Sequence, residues 1–280
     1  MKYALVVDSC CELTEEMKNQ KELVSVPLKF TIDGKEYIDD SSLDMAEFLE
    51  ALKNTKEVPK SSCPAPGEFL GAFMNLDAEY IFVLPFSVKL SGSHNSAVQA
   101  AEMAREQGKN IHVFNSKNAS ASLLLISKEI LRLMNTDLTP EEIIEETEKF
   151  IEDTRIFLML EKTDTLIKTG RMNPLVGKAL AMLNIRLIIK SDGEGAIMLS
   201  DKVRGSQKAT IDKLAQNIAD LSTEKSDTLI ITHCSNEEGA KYLAEKASSL
   251  HGFKKVEILP ANAIIGLYTD IGGLVAGFNK

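Results

Sequence analysis

The chain has 280 residues, about two domains at roughly 150 residues each, and its 44% hydrophobic and 26% charged composition excludes a disordered chain. Lys and Arg total 32 against 41 Asp and Glu, a net charge of -9 that argues against nucleic-acid binding and against a polybasic membrane role. No apolar run approaches the roughly 18 residues of a membrane span, and MKYALVVDSC turns polar too soon for a signal peptide, so a soluble, cytoplasmic protein is expected.

In chain order, Tyr3 to Val7 reads as a strand that stops at Asp8-Ser9, followed by an acidic helix near Thr14 to Asn19. VSVPLKFTIDGKEYID places two extended arms around Asp33-Gly34, a pair suited to a type I′ turn, and implies a small β insertion. DMAEFLEALKN is a short amphipathic helix. Lys56 to Cys63 reads as a polar loop, with a helix from Pro66 after it. Tyr80 to Leu84 is a strand, SVKLSGSHNS leads into a helix ending near Gly108, and Ile111 to Phe114 is a third strand before an apolar helix from Ala119 to Met134. Thr139-Pro140-Glu141-Glu142 carries the N-cap, first-turn proline and returning glutamate of a capping box. Its helix should run to about Asp153, where the domain boundary is expected, giving domains 1-153 and 154-280.

Beyond it, RIFLMLE reads as a strand, Asn173 to Leu183 as a helix, and IRLIIKSDGEGAIMLSDKV as two strands joined at Asp192-Gly193. Ser206 to Leu221 is a helix, Leu229 to Thr232 a strand, Glu237 to Leu250 a helix and Val256 to Leu259 a strand, and the tail is Gly-rich and apolar. The fold class is therefore α/β: a parallel first domain with a β insertion and a mixed second domain.

Ligands of such sheets bind beyond the carboxyl ends of strands, where this chain places Asp8-Ser9, then Ser87, Ser91 and Ser93, then Asn115-Ser116. Those hydroxyls, with the backbone N-H groups of Gly92 and the helix after it, suit an oxyanion; each serine alone also reads as an ordinary helix cap. GxxxxGK[ST], GxGxxG after a strand, GxSxG and HExxH are all absent. The histidines at 94, 112, 233 and 251 lack metal-ligand spacing, and Cys10, Cys11, Cys63 and Cys234 form no CxxC, so neither a metal site nor a disulfide framework is expected. His94 lies beside Ser91 and Ser93, where it could assist a serine nucleophile or simply face solvent. The apolar faces of Ala119 to Met134 and Asn173 to Leu183 read most simply as core, with the wall of a hydrophobic tunnel as the alternative.

The ordered set VVDS, SSCPAPGEF, LSGSHNSA, KTGRM, LNIRLIIKSDGEG, KVRGSQKA and AIIGLYTDIGG resembles the DegV family of bacterial lipid-binding proteins along nearly the whole chain. The resemblance implies a two-domain fold with a buried long-chain fatty acid between the domains, as in the substrate-binding subunits of bacterial fatty acid kinase. Those subunits hold the acid while a separate ATP-dependent kinase makes the acyl phosphate.

On this resemblance Ser61 and Ser91 hold the carboxylate, Ser62 and Gly92 flank them, and Arg171 and Arg204 line a mouth presented to the kinase. Tyr268 stands where the family has a histidine, within Tyr268-Thr269-Asp270-Ile271-Gly272; Cys63 replaces a glutamine, Ala65 a serine and Thr169 a glycine. Tyr268 can donate one hydrogen bond, and Asp270 would repel a carboxylate unless it points away or is protonated.

The expectation is a non-enzymatic carrier without cofactor or metal, its ligand one long-chain fatty acid, with transient membrane contact compatible with ligand exchange. The alternatives are a lipid-sensing or regulatory member with another partner, and a serine hydrolase using Ser91 or Ser93 with His94.

Overall fold

A computed structural model of the protein describes residues 2-173 and 185-280. Strand β1 (Tyr3–Asp8) pairs in parallel with β2 (Leu23–Val26) and β6 (Tyr80–Leu84), and β6 with β7 (Ile111–Val113), giving the order β2-β1-β6-β7. β1 and β6 are buried on both faces, so both are unbroken apolar runs. Helices α3 (Pro66–Asn75) and α4 (Ser93–Arg105) cover one face through Phe69, Phe73 and a row of alanines from Ala97 to Ala104. The short α1 (Glu15–Lys18), capped by the Thr14 hydroxyl, links β1 to β2.

Strands β3 (Lys29–Ile32) and β4 (Lys35–Ile38) form the expected hairpin, with positive φ at both Asp33 (47°) and Gly34 (80°). Residues 60-62, expected as loop, instead form β5 (Lys60–Ser62), antiparallel to β3 with Ser61 opposite Phe30. Edge pairing is a backbone interaction and needs no apolar alternation, which is why the sequence Lys-Ser-Ser concealed it. Helix α2 (Met45–Asn54), capped by Asp44, seats Phe48 edge-on against Phe30, their centroids 5.3 Å apart.

After α5 (Ala121–Met134) and α6 (Pro140–Asp153), the second sheet has the order β10-β9-β8-β13-β11-β12. Its strands are β8 (Thr154–Leu160), β9 (Ile185–Ser191), β10 (Ile197–Arg204), β11 (Thr228–His233), β12 (Lys255–Pro260) and β13 (Leu274–Asn279). Only β11 and β12 pair in parallel. Helices α8 (Gln207–Leu221) and α9 (Glu237–His251) cover one face. α5 lies on the other and also touches β1, so it is wedged between the sheets and buried on nearly every side. Gly277 permits this contact, because a Cβ there would lie 2.6 Å from the Ser122 backbone nitrogen.

Two helices were not anticipated, α7 (Asp164–Lys168) and α10 (Ala263–Thr269). The apolar tail is thus a helix plus the central strand β13. The helix expected from Asn173 to Leu183 lies outside the described residues apart from Asn173 itself. Among the described residues no helix is long and apolar enough to cross a membrane.

Candidate functional site

Most hydroxyls at the strand ends are engaged in the fold. Asp8, fully buried, accepts from the backbone N-H of Cys10 (3.1 Å) and Phe86 (2.8 Å) and from the Ser93 hydroxyl, tying the ends of β1 and β6 to the start of α4. Burial pushes its carboxyl up to about 6 against the lowering effect of these donors. Ser87 donates to the Gly195 carbonyl at 2.8 Å across the two sheets, and Ser116 donates to the Asn118 carbonyl at 3.3 Å. Ser93 is therefore committed to Asp8. His94 Nδ1 is buried without a hydrogen-bond partner, and burial holds its imidazole below the ordinary range.

Ser61 and Tyr268 meet although 207 residues separate them: their hydroxyl oxygens are 2.6 Å apart. Ser61 faces inward from β5, while Ser62, next along the pleat, is exposed on the outer side. Ser91 is half-buried just before α4, its Oγ accepting from the Ser93 N-H at 3.2 Å. Gly92 is the N-cap of α4 and abuts the 61-63 segment, since a Cβ there would lie 3.0 Å from Cys63 Sγ. The start of α4, the positive end of its dipole, thus faces the segment that carries Ser61.

Asp270 is drawn away from this point. Its Oδ2 lies 2.5 Å from Lys162 Nζ, and its Oδ1 accepts from the Ile271 N-H. Arg171 lines the adjoining cavity, with Nε donating to the Leu90 carbonyl at 3.1 Å and Nη1 to Thr169 at 2.8 Å. Arg204, at the end of β10, is exposed and outside that cavity.

The cavity lies between the strand-end loops of the first sheet and the inner face of the second. Alternation along β8 turns Ile156, Leu158 and Leu160 into it, while Phe157 and Met159 face the helices behind. Tyr268 and Thr269 stand at the Leu160 end, where the Glu161 N-H donates to the Thr269 carbonyl. Gly195 and Ser191 stand at the Ile156 end, consistent with Phe157 lying opposite Lys190 in β9. Gly195 (φ 93°) closes against Ser87 and Lys117, where a Cβ would lie 2.3 Å from Ser87 Oγ. From Leu160 to Ile156 the cavity runs ~13 Å along the strand. That accommodates about ten methylenes at ~1.25 Å each, the advance of a zigzag of ~1.5 Å C-C bonds. Among the described residues no cluster of three or more His, Cys, Asp or Glu is placed to hold a metal.

Sequence reasoning passed over the buried carboxylates that support this geometry. Asp39 and Glu12 are buried beneath the loops around α10 and β1. Burial pushes Asp39 up to about 6 and Glu12 up to about 8. In sequence both look like solvated loop residues, and only the fold reveals their burial.

A family profile described as "Uncharacterised protein, DegV family" matches residues 2–278. A DegV domain-containing protein of Streptococcus pyogenes serotype M3 is 31% identical over 99% of each chain. Among solved structures, a DegV family protein from Ruminococcus gnavus, refined with vaccenic acid, is 36% identical, with a TM-score of 0.92 over 99% of each chain. The Streptococcus pneumoniae fatty acid kinase (Fak) B3 protein loaded with linoleic acid is 30% identical, with a TM-score of 0.91 over 100% of this chain and 99% of that one.

Proposed function

The chain belongs to the DegV family, and from that premise we propose that it binds one long-chain fatty acid and presents the carboxylate to a separate ATP-dependent kinase. The observation that carries this reading is a mostly apolar cavity lined at one end by Tyr268, whose hydroxyl meets that of Ser61. The ten or so methylenes that the cavity accommodates contribute about 8 kcal/mol of burial at ~0.8 kcal/mol each, before association costs of about 4-15 kcal/mol. Tail burial supplies the affinity and the polar end fixes orientation.

In this reading Ser61, Ser91 and Tyr268 hold the carboxylate, with Gly92 and the first turn of α4 behind them. A hydroxyl pair owns two protons, and one closes the Ser61-Tyr268 bond. The other is free for the ligand, so Ser91 provides a second donor. A net charge of -9 offers a carboxylate no long-range attraction, which makes these local donors necessary. Arg171 meets the added charge of an acyl phosphate, and exposed Arg204 is available to the kinase. Ser62, on the outer side of β5, has at most an indirect role.

Delipidated protein titrated with palmitic or oleic acid tests the proposal. At a ligand concentration a hundredfold above Kd, the stabilisation is about 2.7 kcal/mol, a rise in Tm of roughly 5-10 °C. No shift with either acid would reject it. Acyl phosphate formation on adding the cognate kinase and ATP tests the partnership; its absence with a protein that does bind fatty acid would reject the kinase role alone.

A further inference from the structure

The two hydroxyls at the polar end belong to opposite ends of the chain, yet both are held by the same small sheet. Ser61 lies on β5, paired with β3. Asp39 follows β4 directly, and its N-H donates to the Leu28 carbonyl at 2.9 Å, fixing it beside β3. Its two carboxylate oxygens accept the first N-H groups of α10, Oδ1 from Ala263 at 3.0 Å and Oδ2 from Ile264 at 3.3 Å. Tyr268 is on the last turn of that helix. α10 follows β12 of the second sheet, so the residue that caps it comes from the other half of the chain, 224 residues earlier.

Further contacts anchor the same end of α10. Asn262 Nδ2 donates to the carbonyls of Ser9 (2.8 Å) and Cys11 (3.2 Å), and Gly266 lies so close to Phe48 of α2 that a Cβ would approach its ring to 3.2 Å. Ser9 hydrogen-bonds the Asp39 carboxylate in turn. Asp39 is 7% exposed and, among the described residues, forms no ion pair. Its polar partners are thus the Ser9 hydroxyl and the first N-H groups of α10, whose dipole favours a negative charge there.

We infer that Asp39 is a positioning residue for the fatty-acid carboxylate, holding α10 so that Tyr268 meets Ser61. The inference rests on the reading of this end of the cavity as the carboxylate site. Losing the cap lets α10 shift or fray, and a displacement of about 1 Å breaks a 2.6 Å hydroxyl contact. The acyl chain, lying against β8, is little affected. Asp39 therefore controls discrimination between an acid and its ester rather than affinity for the tail.

The test compares oleic acid with methyl oleate on delipidated wild type, Asp39→Asn, Tyr268→Phe and the double variant. Asp39→Asn keeps the shape but replaces one acceptor with an amide donor facing an N-H group. The acid-to-ester affinity ratio is expected to fall about five- to tenfold in Asp39→Asn and similarly in Tyr268→Phe, and no further in the double variant. Equal losses for acid and ester, or additive losses in the double variant, overturn the inference. If Asp39→Asn does not fold, Asn262→Ala carries the test: it cuts the adjoining anchor and must lower the same ratio, and an unchanged ratio overturns the inference. Failure of wild type to bind oleic acid at all would instead overturn the proposed function.

Discussion

Removing the Tyr268 hydroxyl gives a quantitative test of the polar end. The Tyr268-Ser61 bond is 2.6 Å long and partly buried, and Tyr268→Phe deletes one oxygen while leaving a ring of the same shape. In the free protein the loss is that of a neutral hydrogen bond, about 1 kcal/mol. With a carboxylate bound the lost bond is charge-assisted, about 1.5-3 kcal/mol, so binding weakens by the difference, about 0.5-2 kcal/mol, or about a 2- to 30-fold rise in Kd. Ser61→Ala should cost a similar amount, and the double variant less than the sum, because the two hydroxyls share one proton chain. Displacement of a fluorescent fatty acid by palmitic acid, with methyl palmitate as control, measures all four proteins. Affinities within about twofold of wild type would refute the reasoning, as would equal losses for acid and ester.

Leu158→Trp should block the cavity midway. It denies the chain the ~7 Å between Leu158 and Ile156, or about five methylenes, ~4 kcal/mol and roughly a 1,000-fold weaker Kd for palmitate. Octanoate should be affected far less, and a similar loss for both would contradict the assigned direction of the tail. Glu12 is buried, with Oε2 unpartnered and its carboxyl pushed from an ordinary 4.5 up to about 8. A raised acid takes up its proton on folding, so its contribution is fully present below pH 4.5 and lost as pH rises toward about 8. Glu12→Gln should therefore be near neutral at low pH and more stable than wild type by about 3-4 kcal/mol by pH 8; urea unfolding across that range checks it, and a pH-independent difference would contradict it. Gly277→Ala forces a Cβ to within 2.6 Å of the α5 backbone and should cost about 1-3 kcal/mol or more, lowering Tm by at least roughly 2 °C; an unchanged Tm would contradict the packing of α5 on β13.

The parallel sheet was legible because strands buried on both faces must be apolar throughout, as YALVVD and YIFVL are. The Asp33-Gly34 turn and the Thr139 capping box were legible because their local chemistry admits few alternatives. β5 and β13 were hidden for the opposite reason. Lys60-Ser61-Ser62 pairs through its backbone at an edge, and LVAGFN contains a glycine that only the approach of α5 explains.

The polar site shows the same division. Strand ends located the neighbourhood of Ser91 and Gly92, but the pattern could not tell which hydroxyls would be consumed. Ser87 and Ser93 bond within the fold, while Ser61 and Tyr268 are brought together only by the insertion and α10. Arg171 drew notice only through the resemblance, and the fold shows what holds it along the cavity, two backbone carbonyls.

The most direct measurement is denaturing extraction of the purified protein followed by mass spectrometry of the organic phase. About one equivalent of long-chain fatty acid per chain is expected, and its amount should fall in Leu158→Trp. Wild-type protein that yields no lipid, and whose delipidated form binds neither palmitic nor oleic acid, would contradict fatty-acid binding in this cavity.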